Sequence, residues 1–222
     1  MRSAVLTMSL LATLPLGAQQ QQSADRESSV QFSRAGLPAG WTVRLDDKER
    51  RHAPAETRFE IMGAGYHVTS GPAALYYSDV HRPSGRYTVR AMLTQMKPPA
   101  HAEAYGIFIG GSALETAAQR YLYFLVRRDG RYFVAHRAGA EVHPIVPWTD
   151  HIAVKKEDES GKQSNELAIQ VTADSVHMMV NSHRVQSFAR TELQGVVTDG
   201  QAGLRVNHSL DVHVGTFEIR ND

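Results

Sequence analysis

Five side chains in the stretch Tyr121 to Arg137 (YLYFLVRRDGRYFVAHR) have types and spacing suited to holding a polar ligand. Asp129-Gly130 is a strong pair for a two-residue type I′ turn, because both positions of that turn need positive φ. A hairpin closed there pairs Arg127 with Tyr132, Leu125 with Val134 and Tyr123 with His136. Side chains alternate between the faces of a strand. Tyr121, Tyr123, Arg127, Tyr132 and His136 are therefore predicted on one face, with Leu125 and Val134 between them. Leu122, Phe124, Val126, Phe133 and Ala135 fall on the other, which reads as core. Tyrosine joins a large apolar ring to a polar handle, so a face lined this way can stack a ligand and hydrogen-bond its rim. The competing reading is a second buried layer whose hydroxyls are satisfied locally. Arg205 and Asn207 share a face on a later strand and join the ligand-binding candidates.

Other chemistries find less support. Glu103 and Asp211 stand as isolated carboxylates, weak catalytic candidates without a partner acid nearby in sequence. Glu157-Asp158-Glu159 lies in the turn-forming run KKEDESGKQS and is expected to face solvent. The eleven histidines invite a metal reading. Asp211 and His213 share a strand face, His208 is close by, and His136 and His143 flank a loop. None of these follows an established ligand spacing such as H-E-x-x-H, so no metal and no cofactor is expected. A serine or cysteine nucleophile is excluded, since there is no G-x-S-x-G elbow and no Cys. GGSALE at Gly110 lacks the Lys and glycine spacing of a phosphate loop.

Composition bounds the setting. The 222 residues suffice for one sizeable domain. Met1 to Ala18 reads as a secretory signal, with Arg2 as its positive start, Ala4 to Leu16 as its apolar run and Leu16-Gly17-Ala18 as a small-residue cleavage site. Residues 19–35 are expected to be a disordered, Gln/Ser-rich lead-in, and residues 36–222 a single domain. Loss of the signal removes Arg2, leaving 23 basic against 23 acidic residues from the original 24 and 23. That balance offers no basic excess for nucleic acid. The apolar run is too short to span a bilayer, which takes about 20 residues. An export signal without cysteine fits a secreted or periplasmic protein with an ordinary core.

The elements that would position the candidates are strands. Trp41 to Leu45 is a plausible first strand, and the charged run DDKERR after it reads as a solvated loop. Phe59 to Met62 and Tyr66 to Thr69 flank Gly63-Ala64-Gly65, and Ala73 to Tyr77 follows. Arg86 to Met96 alternates cleanly, and Ala104 to Ile109 carries glycines that mark a bend or a close approach. Ser112 to Arg120 has the look of one short helix, with Ser112 and Glu115 forming a capping box. Trp148 begins a further strand and, like Trp41, is assigned to the core. Glu166 to Thr172, Val176 to Asn181 and Val185 to Ala189 form a meander. Gly203 to Asn207 and Leu210 to Ile219 close the chain, with a bulge at Gly215-Thr216. About a dozen short strands without alternating helices indicate an all-β, two-sheet antiparallel sandwich or a barrel.

The order GRYTVRA, AYGIFIGG, YLYFLVRRDGRYFV, PWTDHIAV, NELAIQV, VHMMVNSHRV and AGLRVNHSLDVHVGTFEI resembles the concanavalin A-like lectin/glucanase superfamily, including laminin-G-like domains and the 3-keto-disaccharide hydrolase-like domain. The resemblance runs from about Trp41 to Ile219 and implies a jelly-roll sandwich of two curved sheets, with ligands on the concave sheet or its rim. It departs from the family pattern at Ser182, where Asn-Gly is usual. The glucanase motif E-x-D-x-x-E, which would set two carboxylates about 5 Å apart for retaining hydrolysis, is absent. The expected function is therefore an exported, non-catalytic module that binds carbohydrate or a cell-surface glycan partner. The alternatives are a glycoside hydrolase of the 3-keto-disaccharide type and an assembly protein whose concave face is covered by a partner.

Overall fold

A computed structural model describes residues 29–33, 37–47 and 57–222. The expected signal peptide, most of the lead-in and the charged run after Asp47 lie outside the described residues. The strands are β1 (Ser29–Ser33), β2 (Trp41–Asp47), β3 (Arg58–Met62), β4 (Gly65–Thr69), β5 (Ala73–Ser78), β6 (Tyr87–Gln95), β7 (Ala104–Ser112) and β8 (Arg120–Arg127). They continue as β9 (Arg131–Ala138), β10 (Glu141–Asp150), β11 (Gln163–Val171), β12 (Ser175–Val180), β13 (His183–Ala189), β14 (Gln201–Val206) and β15 (Asp211–Asn221). Two antiparallel sheets result, one of eight strands in the order β1-β2-β5-β14-β7-β8-β9-β10 and one of seven in the order β13-β12-β11-β6-β15-β4-β3. This is the all-β two-sheet sandwich that the strand spacing allows, with the jelly-roll form that the family resemblance implies. No helix among the described residues is long and apolar enough to cross a membrane.

The main core lies between the sheets and is assembled from alternating residues. Val43, Leu45, Tyr76, Tyr105, Ile107, Phe124 and Val134 come from one side, and Val89, Ala91, Leu167, Ile169, Val212 and Val214 from the other. The two sheets differ in their second faces. β6 alternates between buried and more accessible positions, as a half-buried strand should, whereas β7 is buried at eight successive residues. Outward-facing Leu75, Tyr77, Phe108, Tyr121, Tyr123, Leu125 and Ala135 of the eight-stranded sheet form a second apolar cluster. The sandwich thus buries three faces of its four.

Five local expectations are corrected. The first concerns the hairpin β8–β9. Arg127 pairs with Arg131, Leu125 with Phe133 and Tyr123 with Ala135, one residue away from the predicted register. The turn is a three-residue loop in which the Gly130 N–H donates to Arg127 O at 3.0 Å and Gly130 takes φ +88°. It is a type I turn closed by a left-handed glycine, not a I′ turn. A one-residue slip reverses every side chain of β9. Tyr132 and His136 turn inward, while Phe133, Ala135 and Arg137 join Tyr121 and Tyr123 outside.

The second concerns Ser112 to Arg120, which forms no helix. Ala113 sits at φ +50°, and Arg44 Nη1 donates to the carbonyls of Leu114 (2.5 Å) and Thr116 (2.8 Å). The Ala118 N–H is taken by Thr116 Oγ1 at 3.0 Å. Those groups are the ones a helix would pair with each other. Third, Asp46 of the charged run belongs to β2 and is 8% exposed rather than solvated. Fourth, Trp148 lies near the end of β10, on the outer cluster and not in the inter-sheet core. Residues 29–33, placed in the lead-in by their composition, pair with β2 as a strand. The bulge predicted near Gly215 is present, between Val214 and Thr216.

Candidate functional site

The outward face of the eight-stranded sheet gathers the residues best suited to binding. Register alone builds its central row: Arg44 of β2, Leu75 of β5, Arg205 of β14, Gly106 of β7, Leu125 of β8 and Phe133 of β9 are successive cross-strand partners. The next row runs through Thr42, Tyr77, Gly203, Phe108, Tyr123 and Ala135. Glycine at 106 is required by the backbone, since a Cβ there would meet Phe124 O at 2.0 Å. One consequence is that no side chain stands on the floor between Arg205 and Leu125.

Aromatic rings cross this face in sequence. Phe108 meets Tyr121 at 5.4 Å between centroids, Tyr121 meets Tyr123 at 5.4 Å, and Tyr123 meets Phe133 at 6.0 Å. Phe133 then stacks on Trp148 at 5.0 Å and 25°, and the Arg127 guanidinium lies 4.5 Å from the Trp148 ring centroid. Such contacts favour offset and tilted rings, and a cation over an indole adds further attraction. Arg127 is fixed there by Asp129, to which its Nε donates at 3.0 Å and its Nη2 at 2.6 Å. Tyr121 is 1% exposed and Tyr123 7%, while Phe133 and Trp148 are half-buried and form the accessible end of the run.

At the other end stands a charged cluster. Asp46 accepts a hydrogen bond from Arg205 Nη1 and lies 3.8 Å from Arg44 Nε. Burial pushes the Asp46 carboxyl up, but the Arg205 charge and hydrogen bond, with Arg137 and Arg44 adding, hold it below its ordinary value. Burial pushes the Tyr121 hydroxyl up to about 12, opposed by Arg205 and helped by Asp46. Burial likewise raises Tyr123, with the Tyr121 charge adding. Both phenols remain protonated donors. Asp46, a carboxylate bound to arginine, is the opposite of the protonated acid that glycoside hydrolysis needs.

The remaining candidates are placed apart. Tyr132 spans the core and donates its hydroxyl to Val185 O of β13 at 3.2 Å. It is a tie between sheets. His136 pairs across β9–β10 with His143, the rings 6.2 Å apart, beside a groove of about 350 Å³ lined by Ile145, Glu192, Leu193 and Val196. Burial, then the His143 and Arg120 charges, hold His136 below its ordinary value. Asn207 lies one residue beyond β14, its N–H still bonded to Ala104 O at 2.9 Å, so it keeps the phase of Arg205. Glu103 meets His208 at 3.0 Å, ahead of β7. Asp211, on the other sheet, meets His67 at 2.7 Å and Lys97 at 3.0 Å. The two weak catalytic candidates are thus engaged with different partners. Among the described residues, no group of three or more His, Asp or Glu is placed to hold a metal ion.

Arg44, Asp46, Phe108, Phe133 and Trp148 are the site residues that sequence reasoning missed. For the first two the signal was present, since Thr42, Arg44 and Asp46 alternate with the apolar Trp41, Val43 and Leu45.

No family model matches this sequence, and no curated protein matches it. Solved structures do. The carbohydrate-binding module CBM66 from Bacillus subtilis superposes with a TM-score of 0.60 at 11% identity, over 82% of this chain and 96% of that one. A Bacteroides ovatus mixed-linkage glucan GH16 protein, solved with a product, gives 0.58 at 7% identity over 85% and 97%. A family 7 alginate lyase solved with a product gives 0.51 at 8% over 82% and 95%. Identities this low speak for architecture alone. The architecture is a concanavalin A-like jelly roll.

Proposed function

We propose that this chain is an exported carbohydrate-binding module whose ligand lies at the half-buried β9–β10 end of the outward face of the eight-stranded sheet. The observation that supports this reading is the ring path from Phe108 through Tyr121, Tyr123 and Phe133 to Trp148, capped by Arg127. Its accessible end offers an indole and a phenyl ring to an apolar sugar face, and guanidinium donors to sugar hydroxyls. Carbohydrate-binding and carbohydrate-active proteins among the structural neighbours are consistent with it. The secretory reading of Met1 to Ala18 supports a secreted or periplasmic setting. The resemblance to laminin-G-like and 3-keto-disaccharide hydrolase-like domains is retained as a finer expectation about the subfamily. Catalysis of the latter kind is disfavoured by the placement of the carboxyl groups, with Asp46 ion-paired to Arg205 and the two isolated candidates apart, Glu103 beside His208 and Asp211 beside His67 on the other sheet.

Affinity gel electrophoresis and a glycan array of the purified chain test the proposal. Trp148→Ala is expected to weaken binding at least ten-fold while the fold is retained by circular dichroism, and Tyr123→Ala to weaken it less. Binding to no glycan by the unmodified protein rejects the reading. Turnover of a 3-keto-disaccharide, lost on replacing Glu103 or Asp211, replaces it with the hydrolase.

A further inference from the structure

We infer that β3 is an interface between two copies of this chain, which join edge to edge about a two-fold axis at Phe59. β3 is terminal in the seven-stranded sheet, so one side of its backbone meets β4 and the other meets no strand of the described residues. The turn between β3 and β4 sets which groups face the open side. Gly63-Ala64 is a two-residue connection with Gly63 at φ +62°, so the flanking Met62 and Gly65 form a hydrogen-bonded pair. Such pairs alternate along an antiparallel ladder. Met62, Glu60 and Arg58 therefore turn their N–H and C=O groups to β4. Phe59 and Ile61 turn theirs to the open side, where a second strand can take them.

The side chains select the strand that fits. Arg58 and Glu60 are exposed on the face of β3 opposite the buried Phe59, and neither has an ion-pair or side-chain hydrogen-bond partner among the described residues. With the axis at Phe59, Arg58 lies opposite Glu60 of the second copy, and Glu60 opposite its Arg58. Both pairs fall at non-hydrogen-bonded positions, where cross-strand side chains approach most closely. An axis at Arg58 or at Glu60 sets a charge against itself, and one at Ile61 leaves both charges without an opposite. On the inward face Ile61 is 70% exposed while Phe59 beside it is 1% exposed. In the pair it comes opposite Thr57 and diagonal to Phe59 of the second copy. A two-fold interface demands this self-complementarity, since each contact occurs twice with the roles exchanged. β13, at the other end of the same sheet, lacks it, because His183 and Arg184 are its only ionisable residues and carry one sign.

Sedimentation velocity of the purified chain over a wide concentration range tests the inference, and the expected result is a monomer–dimer equilibrium. Arg58→Glu alone, or Glu60→Arg alone, sets like charges face to face at both ends of the ladder and is expected to weaken the dimer about ten-fold. Circular dichroism and the melting temperature should stay unchanged, because both positions are exposed. Mixing the two single variants restores opposite charges and is expected to give a heterodimer, and the double variant Arg58→Glu with Glu60→Arg is expected to recover the homodimer. A chain that stays monomeric at every concentration overturns the inference. So does association that ignores both reversals and shows no preference for the mixed pair. Glycan binding is read separately and on the other sheet, so neither outcome decides the carbohydrate reading.

Discussion

Ser182 shows how a single residue can hold a turn at some cost. Asn181 and Ser182 sit at φ +48° and +67°, the two left-handed positions of the β12–β13 turn. Asn181 is compensated: its side chain donates to Ala153 O at 2.8 Å and accepts from the Glu166 N–H at 3.0 Å. Ser182 is exposed and has no such compensation in its backbone conformation. Ser182→Gly is expected to raise stability by about 0.5–1 kcal/mol, read from the urea midpoint. Asp46 tests the opposite case, a buried charge that depends on its partners. Its folded carboxyl titrates below the unfolded value of about 3.9, so its stabilising contribution is complete above that pH and is lost as pH falls through the lower folded value. Asp46→Asn should cost about 3–5 kcal/mol at neutral pH, because it leaves Arg205 buried and unpaired. The gap between the two melting curves should narrow toward pH 3. The phase of Arg44 and Asp46 was legible in the alternation of β2. The pairing of Asp46 with Arg205 was not, because it depends on β5 and β14 being neighbours across long stretches of chain.

Among the elements, the β8–β9 hairpin carries the main lesson. An Asp-Gly pair serves a two-residue I′ turn and a three-residue turn ending in left-handed glycine equally well, and local residue types do not choose between them. The choice decides which face of β9 looks inward, and it moved Tyr132 and His136 away from the site while bringing Phe133 onto it. Gly130→Ala should cost about 1 kcal/mol, since φ +88° is strained for any residue with a Cβ. Histidine protonation supplies a second element-scale test. Burial holds His81, packed between Trp41 and Phe217, and His136 below their ordinary values. Their contribution is full above about pH 6.5, the unfolded value, and is lost as pH falls toward the lower folded values. The melting temperature should therefore drop between pH 7 and pH 5, and His136→Gln should flatten part of that slope. The stretch from Ser112 to Arg120 misled for a similar reason. Its capping residues are real, but a distant arginine claims the carbonyls.

At the scale of the molecule, close strand spacing without alternating helices narrowed the fold to a sandwich or a barrel, and the family resemblance chose the sandwich. What they left open was which outer face is covered, a property of sheet order rather than of any strand. The same order decides which strands end up at the rims. In the eight-stranded sheet β10 is terminal and carries Pro144 and Pro147, which offer no N–H to a strand arriving from outside. The seven-stranded sheet ends at β3, which has no proline and leaves Ile61 70% and Met62 46% exposed. One rim is blunted against edge-to-edge pairing and the other is open to it. Self-association on concentration or mild heating should begin at β3, and Ile61→Lys should delay it in a light-scattering assay without shifting the unfolding midpoint by more than about 0.5 kcal/mol. The two prolines that interrupt the ladder of β10 therefore also shield, at that rim, the sheet that carries the candidate site.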